Sequence, residues 1–157
     1  MITHTAAFIV DGERILLGRH QRGVGKGKFN GFGGKIEAGE SVEAGMIREV
    51  QEECNLTPIK FKAMADLHFR LPVGGQIMDW TARIYVVSDW TGDLRPSEEM
   101  IPKWFDQSQI PFDQMWDDDY MWLPHVLHGD KLEAWFSFDD SGKVTDYNIS
   151  KWEPDNE

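Results

Sequence analysis

Apolar positions along the chain switch between two spacings. Residues Thr3–Val10 and Arg14–Arg19 are compact β-prone runs, the second centred on Ile15, Leu16 and Leu17. Asp11-Gly12 lies between them, a dipeptide that favours a tight hairpin. Ile59–Leu71 and Asp79–Ser88 read as two more strands, the latter alternating at Ala82, Ile84 and Val86, with a turn over Pro72–Gly75. A further strand is predicted around Trp104–Phe105, and a closing hairpin over Lys131–Phe138 and Val144–Ile149. Helical spacing occurs twice. Ser41 is an N-cap with Glu43 in the first turn, and helix-compatible residues continue to Glu53, where Asn55 and Pro58 end the run. Met115–His128 is the second helix, carrying Trp122, Leu123, Val126 and Leu127. Between Arg22 and Lys35 stand six glycines, which makes that stretch a loop with at most a short strand at Lys28–Phe32. Helices and strands interleave without strict alternation. The pattern predicts an α/β (α+β) chain with a mixed sheet covered on both faces, built as a single domain over residues 1–157.

Composition narrows the classes of function. The chain has 157 residues, 41% of them hydrophobic, with seven Trp, so it can bury a core. Its net charge of −11 argues against gripping a nucleic-acid polymer, whose phosphate tract needs a basic footprint. The one cysteine, Cys54, excludes an internal disulfide and a multi-cysteine zinc site. Neither a signal peptide nor an apolar run long enough to span a membrane is visible, which points to a cytoplasmic protein. Charge is unevenly placed. Residues 1–35 carry a net +4 beside the glycine-rich loop, whereas residues 113–157 carry a net −9. The acidic third reads as a solvated surface, and the basic stretch as a place to hold a small polyanion.

The chemistry concentrates after the glycines. Glu49, Glu52 and Glu53 occupy helical offsets that share one face, with no lysine at those offsets to neutralise them. Three glutamates alone would read first as a solvated helix face. The glycine loop and basic stretch directly before them shift the reading to a phosphate cradle beside hard oxygen ligands for Mg²⁺, or alternatively Mn²⁺.

That run, GKIEAGESVEAGMIREVQEECNL from Gly34 to Leu56, resembles the Nudix box, G-x5-E-x7-R-E-U-x-E-E-x-G-U. Gly34, Glu40, Arg48, Glu49, Val50, Glu52, Glu53 and Leu56 match, and Asn55 replaces the last glycine. Asn is the second choice for the left-handed conformation needed there, so no loss of chemistry is expected. The resemblance implies a Nudix-type α-β-α sandwich. It also implies metal ligation by Glu49, Glu52, Glu53 and the Gly33 carbonyl, with Glu53 nearest the attacking water. Arg48 would orient a neighbouring glutamate, and Glu40 would steady the loop–helix junction.

Beyond the box, FNGFGGK, QIMDW, SEEMIPKWF and QIPFDQMWDDDYMWLP resemble the MutT homologues that hydrolyse oxidised purine nucleoside triphosphates such as 8-oxo-dGTP to monophosphate and pyrophosphate. Carried over by position, Asn30, Asp118 and Asp119 would contact the base and Trp116 would stack on it. Phe69 and Met78 would wall the pocket, with Thr5 on its floor. Phe32, Gly33, Gly34 and Lys35 would form the loop that meets phosphate and metal, and Glu99 would add a ligand outside the box. Without the resemblance, Trp116 would read as core and Asp117–Asp119 as a helix-cap cluster. Three departures stand out: Phe29, Val24, and His20 where a phosphate-binding lysine is expected. Imidazole is a weaker phosphate partner than ammonium at neutral pH. Two other readings stay open: a Nudix enzyme acting on a dinucleotide, ADP-ribose or another modified mononucleotide, and a non-catalytic nucleotide-binding module. A monomer taking a small nucleotide is expected.

Overall fold

Continuous apolar runs in β1 (His4–Asp11) and β2 (Arg14–His20) imply strands buried on both faces, and the fold meets that demand. A computed structural model describes residues 1–153. After β3 (Phe29–Asn30) and β4 (Phe32–Lys35) come α1 (Val42–Cys54), β5 (Thr57–Val73), β6 (Gln76–Thr91) and β7 (Met100–Asp106). Two short 3-10 turns lead to α2 (Asp119–Leu127), β8 (Leu132–Phe138) and β9 (Val144–Lys151). The strands form one sheet in the order β3-β2-β1-β6-β5-β8-β9, with β4 added on β1 and β7 on β2. It is mixed: β1/β6 and β5/β8 are parallel, and the other pairs antiparallel.

Alternation assigns each face its helix. Ala7, Ile9 and Leu16 pack with Met46, Val50 and Cys54 of α1. Phe8, Ile15 and Leu17 belong to the core that holds Trp122, Leu123 and Val126 of α2. The result is the expected α-β-α sandwich.

Three boundaries differ from expectation. The β5/β6 hairpin is longer, because Gly74 and Gly75 both take positive φ (58° and 80°) and close a two-residue turn, so β5 runs on to Val73. Residues 28–35 hold two strands, since β3 pairs with β2 while β4 crosses to β1. Finally, α2 begins at Asp119 rather than Met115. Met115 is extended (φ −125°, ψ 178°) and the Asp119 carboxylate accepts from the Trp116 N–H, so the preceding residues form a turn. Among the described residues no helix is long and apolar enough to cross a membrane.

Candidate active site

Helix α1 is fixed at both ends. The Ser41 hydroxyl accepts from Ala44 N at 3.0 Å, and Asn55 closes the last turn at φ 64°, ψ 25°. The Asn55 side chain also donates to the Asp93 carbonyl at 2.8 Å, a bond glycine could not make.

Between these caps the acids are ordered by one arginine. Arg48 grips Glu40 through two hydrogen bonds of 2.7 and 3.0 Å, and it donates to Glu49 at 3.2 Å and to Glu52 at 3.3 Å. A further bond runs to the Lys35 carbonyl. The absence of lysine at the glutamate offsets therefore does not leave them uncompensated, because Arg48 occupies the space between them. Glu40 also accepts from the Glu37 N–H at 2.8 Å, and the bound guanidinium pulls its carboxyl down to about 2. Glu40 thus ties the loop to the helix.

Glu53 is almost wholly buried, and its Oε1 accepts from the Gly33 N–H at 3.0 Å. Burial, reinforced by the charge of Glu49, pushes its carboxyl up to about 8. Glu49 is raised in the same way, by burial first. The cradle opposite is shaped by close approach. A Cβ on Gly33 would overlap the Thr5 carbonyl, and one on Gly34 would meet Glu49 Oε2 at 2.5 Å. Glu99 lies outside the helix on the loop before β7, accepts from Arg22 at 3.3 Å, and adds its charge to that felt by Glu49 and Glu53. Among the described residues no three acids or histidines converge at ligating distance, because Arg48 holds Glu49 and Glu52 while Glu53 is turned to Gly33. The donor set nevertheless suits a hard divalent cation. It consists of carboxylate oxygens and a backbone carbonyl, packed so that mutual repulsion already opposes ionisation.

Next to this cluster a cavity of about 340 Å³ opens. Thr5, His20, Asn30, Gly33, Gly34, Lys35, Phe69, Trp116, Asp118 and Asp119 all line it. Two expected members do not. Phe32 is fully buried in the core beneath α1, and Met78 is 37% exposed at the hairpin end. Val24 is part of the lining, whereas Phe29 packs edge-on against Phe105 in the core.

The aspartates are nearly dry. Asp118 accepts from the Trp122 indole N–H at 2.7 Å, and Asp119 from the Trp116 N–H at 3.1 Å. Asp118 makes no capping bond to α2. Burial raises its carboxyl to about 6. Asp119 is held well above the usual range by burial and by the charge of Asp118. Trp116 stays outside the core clusters, edge-on to Phe138, with the Lys28 ammonium 5.6 Å from its ring. Asn30 accepts from the Gly31 N–H through Oδ1, which leaves its NH₂ to donate elsewhere. Thr5 Oγ1 is buried without a partner among the described residues.

Sequence reasoning passed over His4, Leu67, Leu71, Trp80 and Phe138, which also line the cavity. Part of this was recoverable. Phe69 lies opposite Trp80 and Leu67 opposite Ala82 across the β5/β6 hairpin, so the known wall residue points to its cross-strand partner. His4 packs against Trp80 with ring centroids 4.7 Å apart.

The chain is similar to known proteins over most of its length. The NUDIX domain model matches residues 2–126. The chain is 35% identical over 149 residues to the oxidized purine nucleoside triphosphate hydrolase of Danio rerio, covering 95% of this chain and 94% of that protein. It is 35% identical over 146 residues to the protein of the same name from Mus musculus, covering 93% and 92%. Among solved structures, the MutT protein from Bacillus halodurans superposes with a TM-score of 0.82 at 25% identity, covering 94% of this chain and 96% of that one.

Proposed function

The chain belongs to the NUDIX family and is a hydrolase of that family, and from this premise we propose that its substrates are oxidised purine nucleoside triphosphates such as 8-oxo-dGTP. The products would be the monophosphate and pyrophosphate, and the biological role the cleansing of the nucleotide pool. One observation carries this reading. Two buried, adjacent aspartates line the same cavity as the Gly33-Gly34-Lys35 loop, so a base reader and a phosphate cradle share one space.

A guanine-type edge offers N1–H and N2–H as donors and a carbonyl as acceptor. An ionised carboxylate only accepts, so two ionised aspartates would set a negative charge against that carbonyl. With Asp119 protonated and Asp118 accepting, both kinds of group are matched. Trp116 provides a flat surface on which the purine stacks, and the Asn30 amide donates to the base. Lys35 and the Gly33–Gly34 backbone, which line the cavity, would meet the phosphates.

Glu49, Glu52, Glu53 and the Gly33 carbonyl would hold Mg²⁺, with Glu99 as an outer ligand. When bound, the cation neutralises phosphate oxygens and acidifies water. Arg48 stays with Glu40 and keeps Glu49 and Glu52 in place rather than touching substrate. Glu53, whose carboxyl burial pushes up to about 8, would take the proton of the attacking water. A cytoplasmic setting fits the acidic net charge and the single cysteine, whose thiol burial pushes up to about 12.

Hydrolysis of a nucleotide panel with Mg²⁺, resolving pyrophosphate from orthophosphate, tests the reading. Oxidised purine triphosphates should give the highest kcat/KM and release pyrophosphate. Preference for ADP-ribose or a dinucleotide, or release of orthophosphate from the triphosphate, would overturn it.

A further inference from the structure

Outside the cavity lies a groove of about 460 Å³ that the reaction described above does not use. Arg19, His20, Lys26 and Lys103 line it, and among the described residues no acid does. Cross-strand register explains the convergence. Arg19 of β2 is opposite Phe29 of β3 on one side and Ile101 of β7 on the other, and Lys103 is two residues further along β7. All four therefore project from one face of the sheet. Lys26 is added from the glycine loop between Gly25 and Gly27, both at positive φ (84° and 86°).

The guanidinium is set in place. Arg19 Nε donates to the Gly27 carbonyl at 3.3 Å and its Cζ lies 6.0 Å from the Phe29 ring centre, while neither terminal nitrogen has a partner among the described residues. Among the same residues Arg19, Lys26 and Lys103 form no ion pair. In a chain of net charge −11 this is a local basic surface with an aromatic floor. It adjoins the cavity, since His20 lines both. Lys26 and Lys28 straddle the boundary, Lys26 lining the groove and Lys28 lying over Trp116.

We propose that this groove is a second anion subsite that binds an oligophosphate group reaching past His20. A planar guanidinium with free terminal nitrogens, flanked by two ammonium groups, matches the spaced oxygens of a condensed phosphate better than a single carboxylate. Two sources share that chemistry: the distal phosphates of a nucleotide carrying more than three, and pyrophosphate released by hydrolysis. The binding itself is independent of the function proposed above, whereas its use in turnover rests on it.

Inorganic tripolyphosphate titrated into magnesium-free protein, followed by amide NMR shifts, reads the subsite without any nucleotide. Saturable shifts are expected at Arg19, Lys26, Gly27 and Lys103. The double variant Lys26→Gln/Lys103→Gln, which changes only exposed side chains, should weaken that binding about tenfold or more while shifts at Gly33–Lys35 persist. Absence of groove shifts in the wild type, or identical binding by the double variant, overturns the proposal.

Kinetics then identify the source. If distal phosphates occupy the groove, the double variant loses about tenfold in kcat/KM on a purine nucleoside tetraphosphate and stays within twofold on the triphosphate. If released pyrophosphate does, the variant instead weakens product inhibition by pyrophosphate, with no selectivity between the two nucleotides. Should no nucleotide be hydrolysed at all, the proposed function fails and the tripolyphosphate titration still decides the subsite.

Discussion

Two clusters of acids flank one cavity and handle like charge in different ways. In the first, Arg48 sits among Glu40, Glu49 and Glu52 and draws the Glu40 carboxyl down, whereas Glu49, despite its bond to Arg48, and Glu53 are both raised, by burial first. In the second, Asp118 and Asp119 have no arginine, and the one cation whose field lowers Asp119 is Lys28. A fixed guanidinium favours the ionised carboxylate it grips, as at Glu40. A dry pair lacking it must keep a proton, which makes one of its members a donor. Under the proposed function, the same side-chain chemistry would serve for cation binding in one place and for base reading in the other.

The sharpest break of that comparison is Glu53→Gln. It preserves shape and the Gly33 contact but removes the buried charge, and it should lower kcat by about a thousandfold with Mg²⁺ present. Retention of more than about a tenth of wild-type kcat would rule out the role of Glu53. The same variant carries a pH signature in metal-free protein. The folded state keeps the Glu53 proton up to about pH 8, whereas the unfolded chain releases it near the ordinary glutamate value of 4.5, so folding binds the proton. Wild-type Tm should therefore fall as pH rises from about 4.5 through about 8, and Glu53→Gln should fall less. Equal slopes in the two proteins would show that the charge is not held against a penalty.

Asp119 comes next. Asp119→Ala removes both the base contact and the bond to the Trp116 N–H, and about a hundredfold loss in kcat/KM on 8-oxo-dGTP is expected from two buried hydrogen bonds. Asp119→Asn carries a fixed amide donor in place of the proton, so it should stay much closer to wild type. It should also flatten any alkaline fall in kcat/KM caused by deprotonation. If Asn and Ala are equally impaired, or both harmless, the shared-proton account is wrong. Trp116→Ala should have a smaller effect, raising KM for purine triphosphates about tenfold, since stacking is worth about 1–3 kcal/mol per base. An unchanged KM would remove Trp116 from the base site.

Helix α1 was legible because its signals are local: a serine cap, an acidic first turn, an asparagine stop and the box spacing all lie within the 23 residues Gly34–Leu56. Arg48's hold on three glutamates was only half legible, since the grip on Glu40 depends on how the loop folds back. The other cluster was readable by resemblance alone. Asp118 and Trp122 stand one helical turn apart, and that spacing alone does not say whether Asp118 accepts from the indole or caps α2. Phe32 shows the opposite failure. It stands in the phosphate-loop motif, yet strand alternation sends its side chain into the core under α1 and leaves the neighbouring glycines to face the site.

Asn55 is where the box departs from its pattern, and the smallest effect is expected there. At φ 64° a non-glycine residue bears a cost of up to about 1–2 kcal/mol, least for Asn. Asn55→Gly removes that cost but also loses the bond to the Asp93 carbonyl, worth about 0.5–1.5 kcal/mol. Glycine further gains entropy in the unfolded chain, about 0.4–1 kcal/mol against folding. The three contributions nearly cancel, so thermal melts should place Asn55→Gly within about 1 kcal/mol of wild type. Asn55→Ala keeps the backbone strain and loses the bond, and it should be about 2 kcal/mol less stable. Glu53 lies two residues before this cap, yet it is anchored independently through Gly33. Neither variant should therefore change kcat by more than about twofold at temperatures where both are folded. A larger change in Asn55→Gly would mean that the cap positions the glutamate cluster, and that the Asp93 bond helps set the geometry of the catalytic helix.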